Sequence, residues 1–188
     1  MPRTLRPLVP ALLLVALIAA GCGSSGDDSG SGSGASAATT KATPTAAATS
    51  PSQAVAAIAS GISHKLSQRP KIPTPHGTPP NKLVVKDIVR GKGKKVRAGD
   101  TVTVQYVGAS WSNGREFDAS WNRGQAFTFQ VPGQVIEGWN EGVLGMREGG
   151  RRLLIIPPAK GYGSQGTPDG SIQPNETLAF VVDLVKDR

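Results

Sequence analysis

Residues 81–188 predict an α+β domain in which an antiparallel β-sheet packs on one short α-helix. Three observations carry this expectation. Residues 101–107 alternate strictly and place Val102, Val104 and Tyr106 on one face of a strand. Leu178, Phe180, Val182 and Leu184 alternate in the same way near the C-terminus. Helical spacing stands out in one place in the domain, where Ile136, Trp139 and Val143 occupy i, i+3 and i+7. Many strands and one helix are best satisfied by a sheet laid over that helix.

The chain starts with Arg3 and Arg6, then an apolar run over residues 8–20. That run has about the length of a signal-peptide core and is short for a membrane span. Ala19-Ala20-Gly21 supplies small residues at a cleavage point, so residues 1–21 are expected to be a signal peptide and the protein to be exported. Cys22 is the only cysteine and has no internal disulfide partner. Its position resembles a bacterial lipobox, in which the cysteine is lipidated and becomes the mature N-terminus. Ala19 departs from that pattern, which favours leucine there. Two or more acyl chains would hold the protein stably on the outer face of the cytoplasmic membrane. The alternative is a plain secretory signal and a secreted protein.

Residues 22–53 read as a tether. Apart from two prolines, residues 23–53 contain no apolar side chain larger than alanine, and Asp27-Asp28 are the only acids. Such a stretch buries too little to offset its ordering entropy. Its end-to-end distance as a coil is on the order of 30 Å. At its end, Ser50-Pro51-Ser52-Gln53 has the order of a capping box with proline at the first helical position. Val55, Ile58, Ile62 and Leu66 follow at helical spacing, interrupted by Gly61. Residues 54–80 are therefore expected to be a marginal helix, docked loosely or not at all, and then an extended lead-in set by Pro70, Pro73, Pro75, Pro79 and Pro80.

Within residues 81–188, Leu83-Val84-Val85 and Ile88-Val89 begin the domain as a strand. Phe127, Phe129 and Val131 alternate, and residues 152–156 form a short apolar strand stopped by Pro157-Pro158. The net charge is +8, and residues 82–97 hold seven basic residues against one acid, Asp87. Gly91-Lys92-Gly93-Lys94-Lys95 within it reads as a solvated basic loop; a patch for anionic lipid heads or cell-wall polymer is the alternative. Nucleic acid is not expected, since no base-stacking pattern accompanies the charge. His64 and His76 lie outside the domain without a cysteine beside them, so no metal and no cofactor are expected. The chain shows neither a G-x-S-x-G elbow nor a P-loop.

The chemistry gathers around Val135-Ile136-Glu137-Gly138-Trp139. The chain has four Phe, three Trp and two Tyr, and seven of these nine fall at Tyr106, Phe117, Phe127, Phe129, Trp139, Tyr162 and Phe180. Such gathering suits one apolar concavity, the usual form of a small-ligand site. Taken singly, Trp139 and Phe129 could equally be core, Tyr106 packed structure, Asp118 a turn residue and Tyr162 a surface loop.

Their order resembles the FKBP-type peptidyl-prolyl cis-trans isomerases. Tyr106-Val107-Gly108 resembles the family's YxG strand, and the run from Gly114 through Phe117-Asp118-Ala119-Ser120 resembles its G-x-x-FDSS, with Ala119 for the first serine. Arg123-Gly124, Phe127-Thr128-Phe129, Val135 to Trp139, Glu141-Gly142, Ala159-Lys160-Gly161-Tyr162-Gly163, Pro174 and Phe180 continue the pattern. Gln173 replaces the first proline of the family's IPP, and the loop over residues 163–171 is altered in length. The resemblance implies a half-barrel sheet wrapped around the short helix, with the site between them. It also implies that the Tyr162 hydroxyl and the Ile136 N–H bind substrate carbonyls, that Trp139 floors the pocket, and that Asp118, oriented by Arg123, lies beside the carbonyl that rotates. Tyr106, Phe117, Arg123, Phe127, Phe129, Val135, Ile172 and Phe180 are the implied substrate-binding residues. The implied partners are X–Pro segments of exported proteins, with a macrolide-like ligand as a second possibility. A non-catalytic module that holds Pro-containing segments, or an adhesin working through the basic run, would be the rival readings.

The physical logic stands without the family. Rotation about an X–Pro bond crosses a barrier of about 18–20 kcal/mol, which is the lost amide resonance. The planar amide is more dipolar than the twisted one. A dry apolar pocket therefore disfavours the ground state more than the transition state.

Overall fold

Six strands form one open antiparallel sheet, ordered β1-β5-β6-β2-β3, with β4 pairing on the other half of β2. The strands are β1 (Val84–Val89), β2 (Thr101–Ser110), β3 (Glu116–Ala119), β4 (Phe127–Gln130), β5 (Arg151–Ile156) and β6 (Leu178–Asp187). The helices are α1 (Pro51–Gly61), α2 (Ser120–Arg123) and α3 (Glu137–Gly142). This computed structural model describes residues 49–187. The expected signal peptide, Cys22 and the tether as far as residue 48 lie outside the described residues.

The long strand β2 organises the domain. Its first half, Thr101 to Val104, pairs with β4, and its second half, Val107 to Ala109, pairs with β3. Along its other edge it pairs with β6 from Val102 to Ser110. The alternation read from the sequence holds: Val102, Val104 and Tyr106 of β2 and Leu178, Phe180, Val182 and Leu184 of β6 share the core on the α3 face with Trp139 and Val143. The elements that periodicity did not show are β3 and α2. Each is four residues long, and neither shows an apolar alternation or helical spacing of its own.

Helix α3 lies unusually close to the sheet. A Cβ on Gly138 would come within 2.5 Å of Ile156, and one on Gly142 within 2.8 Å of Leu154. These glycines, four apart on one helix face, let the backbone of α3 rest directly on β5. That contact sets the height at which Trp139 sits.

The other face of the sheet corrects an expectation. Helix α1 is not loosely docked. Ala54, Val55, Ile58, Ala59 and Ile62 are buried together with Val107, Ala109, Leu153, Ile155, Ala179 and Val181. Every residue of β5 is buried, so the strand is covered on both faces. The physical reason is the sheet's own need: without α1 those apolar side chains would face water. Burying Ile58 and Ile62 alone is worth ~1.5–3 kcal/mol each. The predicted cap is present, with the Ser50 hydroxyl accepting from the Gln53 N–H and Gln53 Oε1 accepting from the Ser50 N–H. The lead-in is also held, since Ile72 is buried in the same cluster and the Trp111 indole donates to the Gly77 carbonyl at 3.1 Å.

A buried ion pair fastens this layer. Arg151, with no exposed surface, donates to both oxygens of Asp183 at 2.6 Å. Its remaining donors reach the carbonyls of Ser63 at 2.5 Å and Gln68 at 2.9 Å. One guanidinium on β5 thus clamps the segment that follows α1. The basic run over residues 82–97 is, as expected, exposed at all seven of its cations, and Lys94 pairs with Asp100 at 3.1 Å.

Candidate active site

Five elements and the loops between them bring the aromatic residues together. β2 supplies Tyr106, β3 supplies Phe117 and Asp118, β4 supplies Phe127, and β6 supplies Phe180. The start of α3 supplies Ile136 and Trp139, with Val135 just before it. Together with Tyr162 and Ile172 these residues line one cavity of about 650 Å³.

Trp139 is the floor. It is 4% exposed and meets Tyr106 edge-on at 5.0 Å, Phe180 edge-on at 5.3 Å and Phe129 at 5.6 Å between ring centroids. Edge-to-face packing of this kind exceeds plain area burial by ~0.5–1.5 kcal/mol per pair. Phe117 and Phe180 close one wall at 5.4 Å. Gly108 explains the YxG spacing here: a Cβ at that position would sit 2.5 Å from the Phe180 ring and 2.9 Å from the Phe117 ring. Only glycine lets that aromatic pair cross β2.

The polar groups divide into two kinds. Asp118, Arg123 and Tyr106 form a closed network. Arg123 donates to Asp118 at 2.5 Å and to the Tyr106 hydroxyl at 2.7 Å, and the Tyr106 hydroxyl donates to the other oxygen of Asp118. Burial, then the bond to Asp118, pushes the Tyr106 phenol up to about 12. The same contacts raise Arg123 further. The second kind is unpartnered. Neither the Tyr162 hydroxyl nor the Ile136 N–H makes a protein hydrogen bond among the described residues. Tyr162 is 39% exposed, and its phenol is raised, first by burial and then by the charges of Asp118 and Asp169. The cavity is thus lined by two residues with unpartnered donors, and Trp139 lines it with them.

Two expected residues stand outside the lining. Phe129 lies behind Phe127, stacked on it at 5.5 Å, and supports the wall. Arg123 reaches the site only through Asp118 and Tyr106. Four lining residues were not anticipated: Gln134, Thr167, Asp169 and Ser171. Three of them belong to the loop of altered length, and a loop carries no periodicity that would show which side chains turn inward.

Residues 92–185 match the model of the FKBP-type peptidyl-prolyl cis-trans isomerases, and the chain belongs to that family. Among its relatives, an FK506-binding protein of Streptomyces anulatus is 54% identical over 119 residues, covering 63% of this chain and 96% of the relative. A probable FK506-binding protein of Corynebacterium glutamicum is 46% identical over 120 residues, or 63% of this chain and 98% of the relative. Among solved structures, FkpA from Escherichia coli superposes with a TM-score of 0.52 at 35% identity, over 68% of this chain and 52% of that one. The protein is thus a peptidyl-prolyl cis-trans isomerase, and the fold expected from the sequence is the fold found.

Proposed function

We propose that the isomerase turns over X–Pro bonds by enclosing the proline above Trp139 while the Ile136 N–H and the Tyr162 hydroxyl hold the flanking carbonyls. The observation that supports this most is the pair of unpartnered donors over an aromatic floor. Asp118 has both oxygens engaged by Arg123 and Tyr106, so it is held as a fixed charge beside the rotating amide and is not needed as a base. Rate comes from the apolar surroundings, which favour the twisted amide over the planar one. Bulky apolar residues before proline suit the aromatic rim. The relatives' printed names point to FK506-like ligands, and the same apolar cavity is suited to hold one.

Removing one donor tests the mechanism. Tyr162→Phe should lower kcat/KM by up to about tenfold, the ~0.5–1.5 kcal/mol of one hydrogen bond. Total loss with the fold intact would mean that a single group dominates. The pH profile gives a second reading. Tyr162 is raised, Tyr106 titrates near 12 and Asp169 near 2, so none of these changes charge near neutrality. A raised phenol stays protonated, and so stays a donor, until the pH climbs past its ordinary value. With a neutral peptide, kcat/KM should therefore be flat between about pH 6 and 8, without the bell of an acid–base pair. A sharp optimum near neutrality would require proton transfer.

The place of action is the second part of the proposal. The apolar run over residues 8–20, followed by Ala19-Ala20-Gly21-Cys22, supports export and a lipid on Cys22. The domain would then work on exported proteins at the outer face of the cytoplasmic membrane. Cys22→Ser should move the protein from the membrane fraction to the detergent-free soluble fraction. Identical fractionation of wild type and variant would end the anchor reading and leave the isomerase untouched.

A further inference from the structure

The chain carries a net charge of +8, yet no Lys, Arg or His lines the catalytic cavity. Its two charged lining residues are both acids, Asp118 and Asp169. They are not equivalent. Asp118 is neutralised by Arg123 at 2.5 Å. Asp169 meets only neutral donors: the Ser171 N–H at 3.1 Å and the Ser171 hydroxyl at 2.9 Å, the latter in turn bonded to the Thr167 hydroxyl at 3.0 Å. These bonds fix the carboxylate in the turn and hold it ionised, with its titration near 2. Among the described residues it forms no ion pair. Its charge contributes to the raised phenol of Tyr162.

A fixed, uncompensated negative charge at the mouth of an apolar site acts on whatever flanks the bound proline. A lysine or arginine can lay its aliphatic stem along the exposed rims of Phe127 and Tyr162 and keep its charged head in water near Asp169. A glutamate or aspartate in that place meets repulsion. We propose that Asp169 is a specificity-determining residue that makes this isomerase prefer X–Pro segments with Lys or Arg beside the proline and disfavour those with Asp or Glu there. The inference rests on the isomerase reading of the cavity and adds the charge class of its substrates. It is compatible with the apolar rim, because the stem of a long cation is itself apolar.

The test uses the purified full chain and neutral tetrapeptides altered at one position, with Lys, Gln or Glu placed immediately before the proline in one set and after it in another. At low salt, kcat/KM should exceed the Gln value about fivefold with Lys and fall below it with Glu in at least one set. Fivefold corresponds to about 1 kcal/mol, the interaction of two unit charges some 4 Å apart in water. Asp169→Asn keeps a side-chain acceptor in the turn; within the variant the Lys/Gln and Glu/Gln ratios of that set should both move to near one, whatever the common rate. About 0.5 M salt should compress the wild-type spread, because screening then acts within a few ångströms. Equal rates for Lys, Gln and Glu in both sets, or a charge preference that survives in Asp169→Asn, would overturn the role of Asp169. Absence of activity with the Gln peptide is a different outcome and would count against the catalytic reading of the cavity itself.

Discussion

Arg151→Met is expected to be the most damaging single change outside the site, lowering stability by about 3–5 kcal/mol because it strands a buried carboxylate. Arg151 is fully buried, and its guanidinium is divided between Asp183 and the carbonyls of Ser63 and Gln68. Burial already lifts the Asp183 carboxyl above its ordinary range, against the pull of Arg151. The pair is therefore costly to desolvate, and its work is to fix where the segment after α1 docks. A double variant, Arg151→Met with Asp183→Leu, should recover much of the loss, since an apolar pair of similar volume needs no compensation. Urea midpoints of the two variants decide the matter. If the double variant is as unstable as the single one, the lost carbonyl contacts, and not the stranded charge, dominate.

The second large effect is expected at Trp139→Ala. This ring touches Tyr106, Phe127, Phe129 and Phe180, so its removal opens a cavity beneath the site and should cost ~3–5 kcal/mol of stability. It also admits water to the floor. Solvating the planar amide removes the advantage of the twisted one, so kcat/KM should fall by well over tenfold, more than ~1.4 kcal/mol of barrier. Trp139→Phe separates the two losses. It keeps a dry aromatic floor and should retain most activity while losing some stability. Equal activity of the alanine and phenylalanine variants, both folded, would show that floor polarity is not what accelerates rotation.

Much of this was legible in the sequence because period-two alternation survives wherever a strand's two faces differ. β2 and β6 could be read in that way, and Tyr106 and Phe180 with them. Aromatic scarcity made the pocket legible: with so few rings, their clustering in order marks a site. What escaped notice did so for physical reasons. The α1 helix looked marginal because isolated propensity and length say nothing of a sheet face waiting to be covered, although the unbroken apolar run of β5 was its sign. The buried role of Arg151 was hidden by a charge that normally marks surface. Asp169 sits in a loop, where turn geometry and not periodicity decides which side chain faces the ligand.

The strand order carries a consequence for how the molecule comes into being. β6 is made last, yet it lies between β5 and β2 and contributes to both cores. Until its ten residues exist, β2 and β5 have no common neighbour. Meanwhile α1, made first, lacks Ala179 and Val181 from the surface it packs on. The contacts between α1 and β6 thus join segments more than a hundred residues apart. Such distant pairings make folding slow, since loop closure must precede any gain from contact. The domain should accordingly complete its two cores only once β6 has been made.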